Sequence, residues 1–241
     1  MPGDIVSSPA TPLLTTVLDE LGREIISGVM PEGYTFTLQT IGDRFDISRT
    51  VAREAMRALE QLGLVSSSRR VGITVRSRDS WAVFDPAVIT WRLQTDTERD
   101  AQLHSLTELR IAVEPIASFN AAASATDAQK DELLALATTM RELGEGTQGA
   151  SSDFLAADMR FHALLLEASG NEMFTALSSP LLKALYGRTE FGMQPEVPAS
   201  EALDAHEKLA RAIHAGDCRA AENASRKLIA EVREALEPPR A

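Results

Sequence analysis

The sequence predicts a mainly α protein, with an N-terminal winged helix-turn-helix and a C-terminal all-α bundle of six or seven helices. Three observations carry this. Residues 37–75 read as helix, tight turn, helix and a basic hairpin, the arrangement that sets one helix into a DNA major groove. From Ser80 onward apolar residues recur at helical spacing, in segments of roughly 12–25 residues without strand-like alternation. The breaks between segments carry turn chemistry: Asp85-Pro86, Thr95 to Thr97, Thr126-Asp127, Gly144 to Gly149, Gly170-Asn171, Gln194 to Pro198 and Gly216-Asp217.

The 241 residues leave room for one large domain or two modest ones. An apolar fraction of 44% and a charged fraction of 24% are ordinary for globular proteins. No apolar run approaches the ~18 residues that span a membrane. The N-terminus lacks the charged start and hydrophobic run of a secretory signal. Cys218 is the single cysteine, so no intrachain disulfide can form, which fits a reducing cytoplasm. A net charge of -11 argues at first against nucleic acid. Its distribution removes that objection. Residues 1–78 hold 9 basic and 9 acidic side chains; the remainder holds 15 and 26. The excess acid lies outside the helix-turn-helix, and salt screens it beyond roughly 8–10 Å.

In chain order, Pro2, Gly3, Ser7, Ser8 and Pro9 make residues 1–10 a flexible arm. The DNA-binding domain is expected over 11–76. Thr11 as N-cap and Pro12 at the first helical position open a helix with the stripe Leu14, Val17, Leu18, Leu21 and Ile25. Pro31, Gly33 and Tyr34 form a loop. Thr37 caps the second helix, which buries Leu38, Ile41 and Phe45. Asp46-Ile47-Ser48 is the turn, and Ser48 caps the third helix, whose Ala52, Ala55, Met56, Leu59 and Leu62 face inward. Gly63 stops that helix. Residues 64–75 suit a two-stranded wing with Gly72 near its tip or second strand. A linker is expected over 77–81 and the helical effector-binding and dimerisation domain over 82–237.

Arg49, Arg53 and Arg57 share the outer face of the third helix, with Thr50 beside them. Charge runs commonly mark a solvated face. Here they sit on the second helix of a tight pair, and Arg69 and Arg70 follow where a wing reaches phosphate. Arg49 and Arg53 are the candidates for base edges, because residues near the N-terminus of a recognition helix reach the groove floor. Arg57, a turn further on, suits a backbone or structural contact.

The bundle carries ionisable residues on apolar stripes: Asp158 and His162 with Leu155 and Leu165, His206 with Leu203 and Leu209, Arg110 with Leu106 and Val113. Inward charges need partners. Asp158 and His162, at i and i+4, suit one metal, and His206 suits a third ligand. One oxygen and two imidazoles fit zinc, nickel, manganese or iron. Arg110 suits a carboxylate ligand, which its planar fork binds bidentately. The same spacings also fit a purely structural arrangement, with hydrogen-bonded core histidines and Arg110 paired to Glu114.

The run Ile47-Ser48-Arg49-Thr50-Val51-Ala52-Arg53-Glu54-Ala55, then Leu59-Glu60-Gln61-Leu62-Gly63-Leu64-Val65 and Gly72 with Val75, resembles the GntR family of bacterial transcription regulators. Glu108-Leu109-Arg110 with Glu114, Asp158-x-x-Phe161-His162, Gly170-Asn171, and His206 with Ala212-Ile213 and Gly216-Asp217 resemble its FadR-like branch with an FCD effector domain. The likeness spans nearly the whole chain. It implies that Arg49, Thr50 and Arg53 contact operator DNA, with Ser48 and Gly72 at the same face and Arg69 and Arg70 in the wing. The family usually opens its second helix with Pro-Ser-Glu-Arg, and that arginine contacts DNA. Here the stretch is Phe36-Thr37-Leu38-Gln39, so the uncharged Gln39 stands in its place. The family's metal ligands are Asp, His, His and His. Three match Asp158, His162 and His206, and Leu228 stands where the fourth is expected.

Phe84 to Trp91 and Glu108 to Pro115 look like regulators of aldonate catabolism, which respond to gluconate, galactonate or related sugar acids. The resemblance therefore implies a homodimeric repressor of sugar-acid catabolism genes that binds a palindromic operator and is released by the acid. Arg110, Arg188 and Phe191 are expected to bind that effector. The alternatives are a regulator of the same fold sensing another carboxylate or an acyl-CoA, and a metal-dependent enzyme. Catalysis lacks support: Glu167 falls on another helix face, and no His-Glu-x-x-His occurs.

Overall fold

The structure, a computed structural model, describes residues 10–236. The predicted arm, apart from Ala10, and residue 237 lie outside the described residues. The fold is mainly α, as the sequence predicts, with a small antiparallel sheet in the first of two compact units. These units are Met1–Asp100 and Ala101–Ala241.

In the first unit, α1 (Ala10–Ile26) begins one residue before Thr11, the expected cap. Val17, Leu21 and Ile25 of α1 are buried as the stripe predicts. They share a core with Ile41 of α2 (Leu38–Phe45) and with Ala52, Ala55, Met56 and Leu59 of α3 (Arg49–Gln61). Both caps form: Thr37 Oγ1 accepts from Thr40 N at 3.1 Å, and Ser48 Oγ accepts from Val51 N at 3.3 Å. The wing strands are β2 (Val65–Ser68) and β3 (Gly72–Val75), paired from Val65 with Val75 to Ser68 with Gly72. The sequence reading missed a third strand, β1 (Thr35–Phe36), which lies on the other edge of β3. Two residues are too few to show a period.

The unit also extends further than expected. The stretch read as a linker is fixed to the end of α3: Arg76 N donates to Leu64 O and Ala82 N to Leu62 O, at 2.8 and 2.9 Å. Gly63 permits this approach. It has φ +75°, and a Cβ there would lie 1.9 Å from Ser80 O. Beyond it, α4 (Pro86–Gln94), capped by Asp85, packs on α1. The Trp91 ring lies where a Cβ at Gly22 would come within 2.5 Å, and its Nε1 donates to Asp19 Oδ1 at 2.9 Å.

The second unit holds seven helices among the described residues. They are α5 (Asp96–Ser124, which begins in the first unit), α6 (Asp127–Glu145), α7 (Ser152–Ala168), α8 (Glu172–Ala176), α9 (Ser178–Glu190), α10 (Ser200–His214) and α11 (Cys218–Leu236). Ends follow local chemistry. Thr126 and Gln129 form a reciprocal capping box, Ser151 caps α7 and Asn171 caps α8. The core joins Leu133 and Met140, Phe161 and Leu165, Leu209 and Ile213, and Leu228. Pro115, inside α5, lacks the N–H that would bond to Ile111 O. Among the described residues, no helix is long and apolar enough to cross a membrane.

Trp91→Ala removes a nearly fully buried indole and its hydrogen bond, so it should destabilise the protein by about 3–5 kcal/mol. Urea denaturation of the full chain would measure this, and Trp91→Phe should cost less.

Candidate functional site

Two surfaces carry the residues singled out by the sequence. In the first unit, Gln39 of α2, Arg49, Arg53 and Arg57 of α3, and Arg69 with Gly72 of the wing line one concave surface. Arg49, Arg53, Arg57, Arg69 and Arg70 are exposed, and none makes a side-chain hydrogen bond or ion pair with a described residue. The neighbouring Arg44 is different, because Glu20 and Glu24 on α1 hold it at 2.6 Å each and so brace α2 against α1. Glu60, the acid in the concavity, accepts from Ser67 N at 3.0 Å and ties α3 to β2. The cations facing outward are thus left available for phosphate and base edges. Ser48 is engaged as a cap, and Thr50 and Arg70 are exposed beyond the concave lining.

In the second unit, a cavity of about 390 Å³ is lined by Arg110 of α5, Asp158 and His162 of α7, Arg188 of α9 and His206 of α10. Asp158, His162 and His206 each present a donor atom within 4.8 Å of the others. Asp158 Oδ1 lies 3.4 Å from Nε2 of both histidines.

The surroundings of each histidine fix its tautomer. His162 Nδ1 meets Glu114 Oε2 at 2.8 Å, and His206 Nδ1 meets Ala202 O at 2.8 Å. Both partners only accept, so both Nδ1 atoms carry the proton; His206 Nε2 faces Asp158, and His162 Nε2 faces Asp158 and accepts from Arg110 Nη2 at 3.1 Å. Glu114 also accepts from Arg110 Nε at 2.5 Å. Arg110, Glu114 and His162 are each at most 2% exposed, a buried charge cluster with α5 on one side and α7 on the other. The pairing of Arg110 with Glu114 that the sequence allowed therefore forms, together with the grouping of Asp158, His162 and His206.

Burial alone would raise the Glu114 pKa, but Arg110 and His162 lower it from 4.5 to about 2. Burial opposes the His162 cation, yet the Glu114 charge and the contacts with Asp158 and Glu114 raise its pKa. Burial likewise opposes the Asp158 anion, and the two histidines nonetheless hold its carboxyl well below the usual range. Arg188 is pushed down by burial and then by the positive charge of Arg110. Its side chain makes no hydrogen bond or salt bridge with a described residue. Of the buried side-chain atoms without hydrogen-bond partners among the described residues, three belong to residues lining this cavity: Arg110 Nη1, Asp158 Oδ1 and His206 Nε2. Such atoms in a cavity mark where a ligand or ion fits.

Phe191 is not among the lining residues. It is the C-cap of α9, and the apolar wall is supplied by Leu185, Met193, Leu203 and Leu228. Leu228 adds no donor at the edge of the Asp–His–His group. The sequence reading did not find Glu114 as the orienter of His162 or Gln194 as a lining residue. The i, i+4 spacing to Arg110 was the available signal for Glu114, and only the fold reveals its contact with α7.

Residues 13–75 match the family described as bacterial regulatory proteins, gntR family, and residues 105–231 match the FCD domain. The galactonate operon transcriptional repressor of Escherichia coli (strain K12) is 29% identical over 214 residues, spanning 87% of this chain and 90% of that protein. The uncharacterized HTH-type transcriptional regulator YieP of the same organism is 29% identical over 212 residues, covering 88% and 90%. Among solved structures, Lar, described as controlling expression of the Listeria monocytogenes agr system, superposes with a TM-score of 0.58 at 15% identity. It covers 92% of this chain and 95% of that one, and the likeness is one of fold. With the FCD match covering more than half of its length, the chain belongs to the gntR family of transcription regulators, not enzymes, in the branch that pairs the helix-turn-helix with an FCD domain.

Proposed function

We propose that this regulator is a cytoplasmic homodimeric repressor of sugar-acid catabolism genes, which binds a palindromic operator and leaves it when a gluconate- or galactonate-type acid enters the second unit. The observation that carries the reading is the unmet demand of one cavity. The Arg188 side chain makes no salt bridge there, and Arg110 Nη1, Asp158 Oδ1 and His206 Nε2 are buried without hydrogen bonds. A small anion with further oxygen donors satisfies all of them. The relative named for the galactonate operon supports the choice of acid. A cavity of about 390 Å³ suits such a molecule better than an acyl-CoA.

A divalent ion of the zinc, nickel or manganese type fits the donor set, which offers one carboxylate oxygen and two imidazole nitrogens. Asp158, His162 and His206 would hold it. Such an ion supplies a Lewis-acidic centre for carboxylate and hydroxyl oxygens. Glu114 and Ala202 O keep the histidine tautomers ready for it, as outer partners of ligating histidines do. Arg188 and Arg110 Nη1 take the effector's carboxylate. For release, the acid must bind the operator-free state more tightly than the bound one.

On the DNA side, Arg49, Thr50 and Arg53 read the operator, with Ser48 and Gly72 shaping that face and Arg69 and Arg70 holding phosphate from the wing. Arg49→Ala or Arg53→Ala should each weaken specific binding by about 1–3 kcal/mol in a gel shift; unchanged affinity in both would refute the assignment of α3. Sugar acids should raise the thermal midpoint, since stabilisation grows as RT ln(1 + [L]/Kd). Chelator or His206→Ala should remove that rise, and a flat response to all aldonates would refute the effector class.

Glu114→Gln should lower stability by an amount that depends on pH. The depressed Glu114 pKa contributes stability above the unfolded value near 4.5, and this is lost as pH falls through about 2. The gap between wild type and variant in denaturant titrations should therefore narrow from pH 7 to pH 3.

A further inference from the structure

Gln39 lies in the first turn of α2 and lines the concave surface with Arg49, Arg53 and Arg69. Its side chain is held. Nε2 donates to Asp43 Oδ1 at 2.8 Å, one helical turn on. Chemistry forces the orientation of the amide, because a carboxylate only accepts and so must face the NH₂ end. Oε1 is left on an exposed side chain with no hydrogen bond to a described residue.

This arrangement disfavours phosphate. Phosphate oxygens are anionic acceptors, and Gln39 meets them with a bare carbonyl oxygen and one remaining Nε2 N–H, both beside the Asp43 charge. Arg69 of the wing, on the same surface and without an ion pair to a described residue, suits phosphate better. An exposed amide oxygen calls for an N–H donor. In the major groove the base edges present two: the N6 amino group of adenine and the N4 amino group of cytosine.

We propose that Gln39 is a specificity-determining residue that presents Oε1 to an exocyclic amino group of a base, and that Asp43 is the positioning residue that holds the amide in that orientation. The inference rests on the DNA-binding role of this surface and assigns Gln39 a task different from that of a phosphate clamp.

The test is selection from a randomised duplex library by the purified full chain, carried out with wild type, Gln39→Ala, Asp43→Ala and Gln39→Arg. The duplex enriched by wild type is then titrated across a salt series. Gln39→Ala should keep the motif but lose preference at one position per half-site. Its affinity for the enriched duplex should fall roughly 5- to 150-fold with an unchanged slope of log K against log salt. Asp43→Ala should relax the same position. Gln39→Arg should steepen the slope by about one charge and blur that position. The base recovered there, adenine or cytosine, identifies the donor. Thermal midpoints of the variants report that each is folded. A Gln39→Ala motif identical to wild type, or a slope reduced by about one, overturns the proposal. If wild type enriches no motif, the DNA-reading role of the whole surface fails first, and the proposal with it.

Discussion

One buried carboxylate keeps the second unit's cavity in order. Glu114 sits between the Arg110 guanidinium and the His162 imidazole, all of them almost without solvent. An ion left alone in such a place costs several kcal/mol. Here each charge has its counterpart, and the geometry that satisfies the cost also does chemical work. Glu114 accepts a hydrogen bond from the Nδ1–H of His162 and so turns Nε2 toward Asp158 and His206. It also occupies Arg110 along one edge, leaving Nη1 for the cavity. Without Glu114, the histidine would lose its orientation and the arginine its counter-charge.

The first unit solves the opposite problem. Its recognition face needs cations without partners, on a stretch where acids and bases are equal in number. Several of the acids are consumed internally: Glu20 and Glu24 hold Arg44, Glu60 holds the backbone of Ser67, and Asp43 holds Gln39. Neutrality of residues 1–78 thus coexists with a positively charged concavity. Acids that would repel DNA serve instead as braces between α1 and α2 and between α3 and the wing.

What the sequence revealed was local. Thr37, Ser48 and Thr126 announce helix starts by chemistry confined to three or four residues, and the period of the bundle is visible wherever apolar residues recur. The spacing of Asp158 and His162 put them on one face of a helix. Features joining distant positions were not legible. The Trp91 indole meets Gly22 and Asp19 some 70 residues earlier, which no periodic pattern records. β1 is recognisable only through its pairing with β3. Phe191 illustrates a finer limit. It lies where α9 ends and the chain leaves its helical track, so residues two and three places further on, Met193 and Gln194, reach the cavity instead.

Pro115 follows Glu114 directly in a helix of 29 residues. A long helix resists bending because every turn is cross-linked to the next. The missing amide at Pro115 breaks one of those links, so the compliance of α5 is concentrated beside the carboxylate that organises the cavity. The helical backbone is therefore least cross-linked beside Glu114, and the contacts of that carboxylate with Arg110 and His162 are what hold it in place.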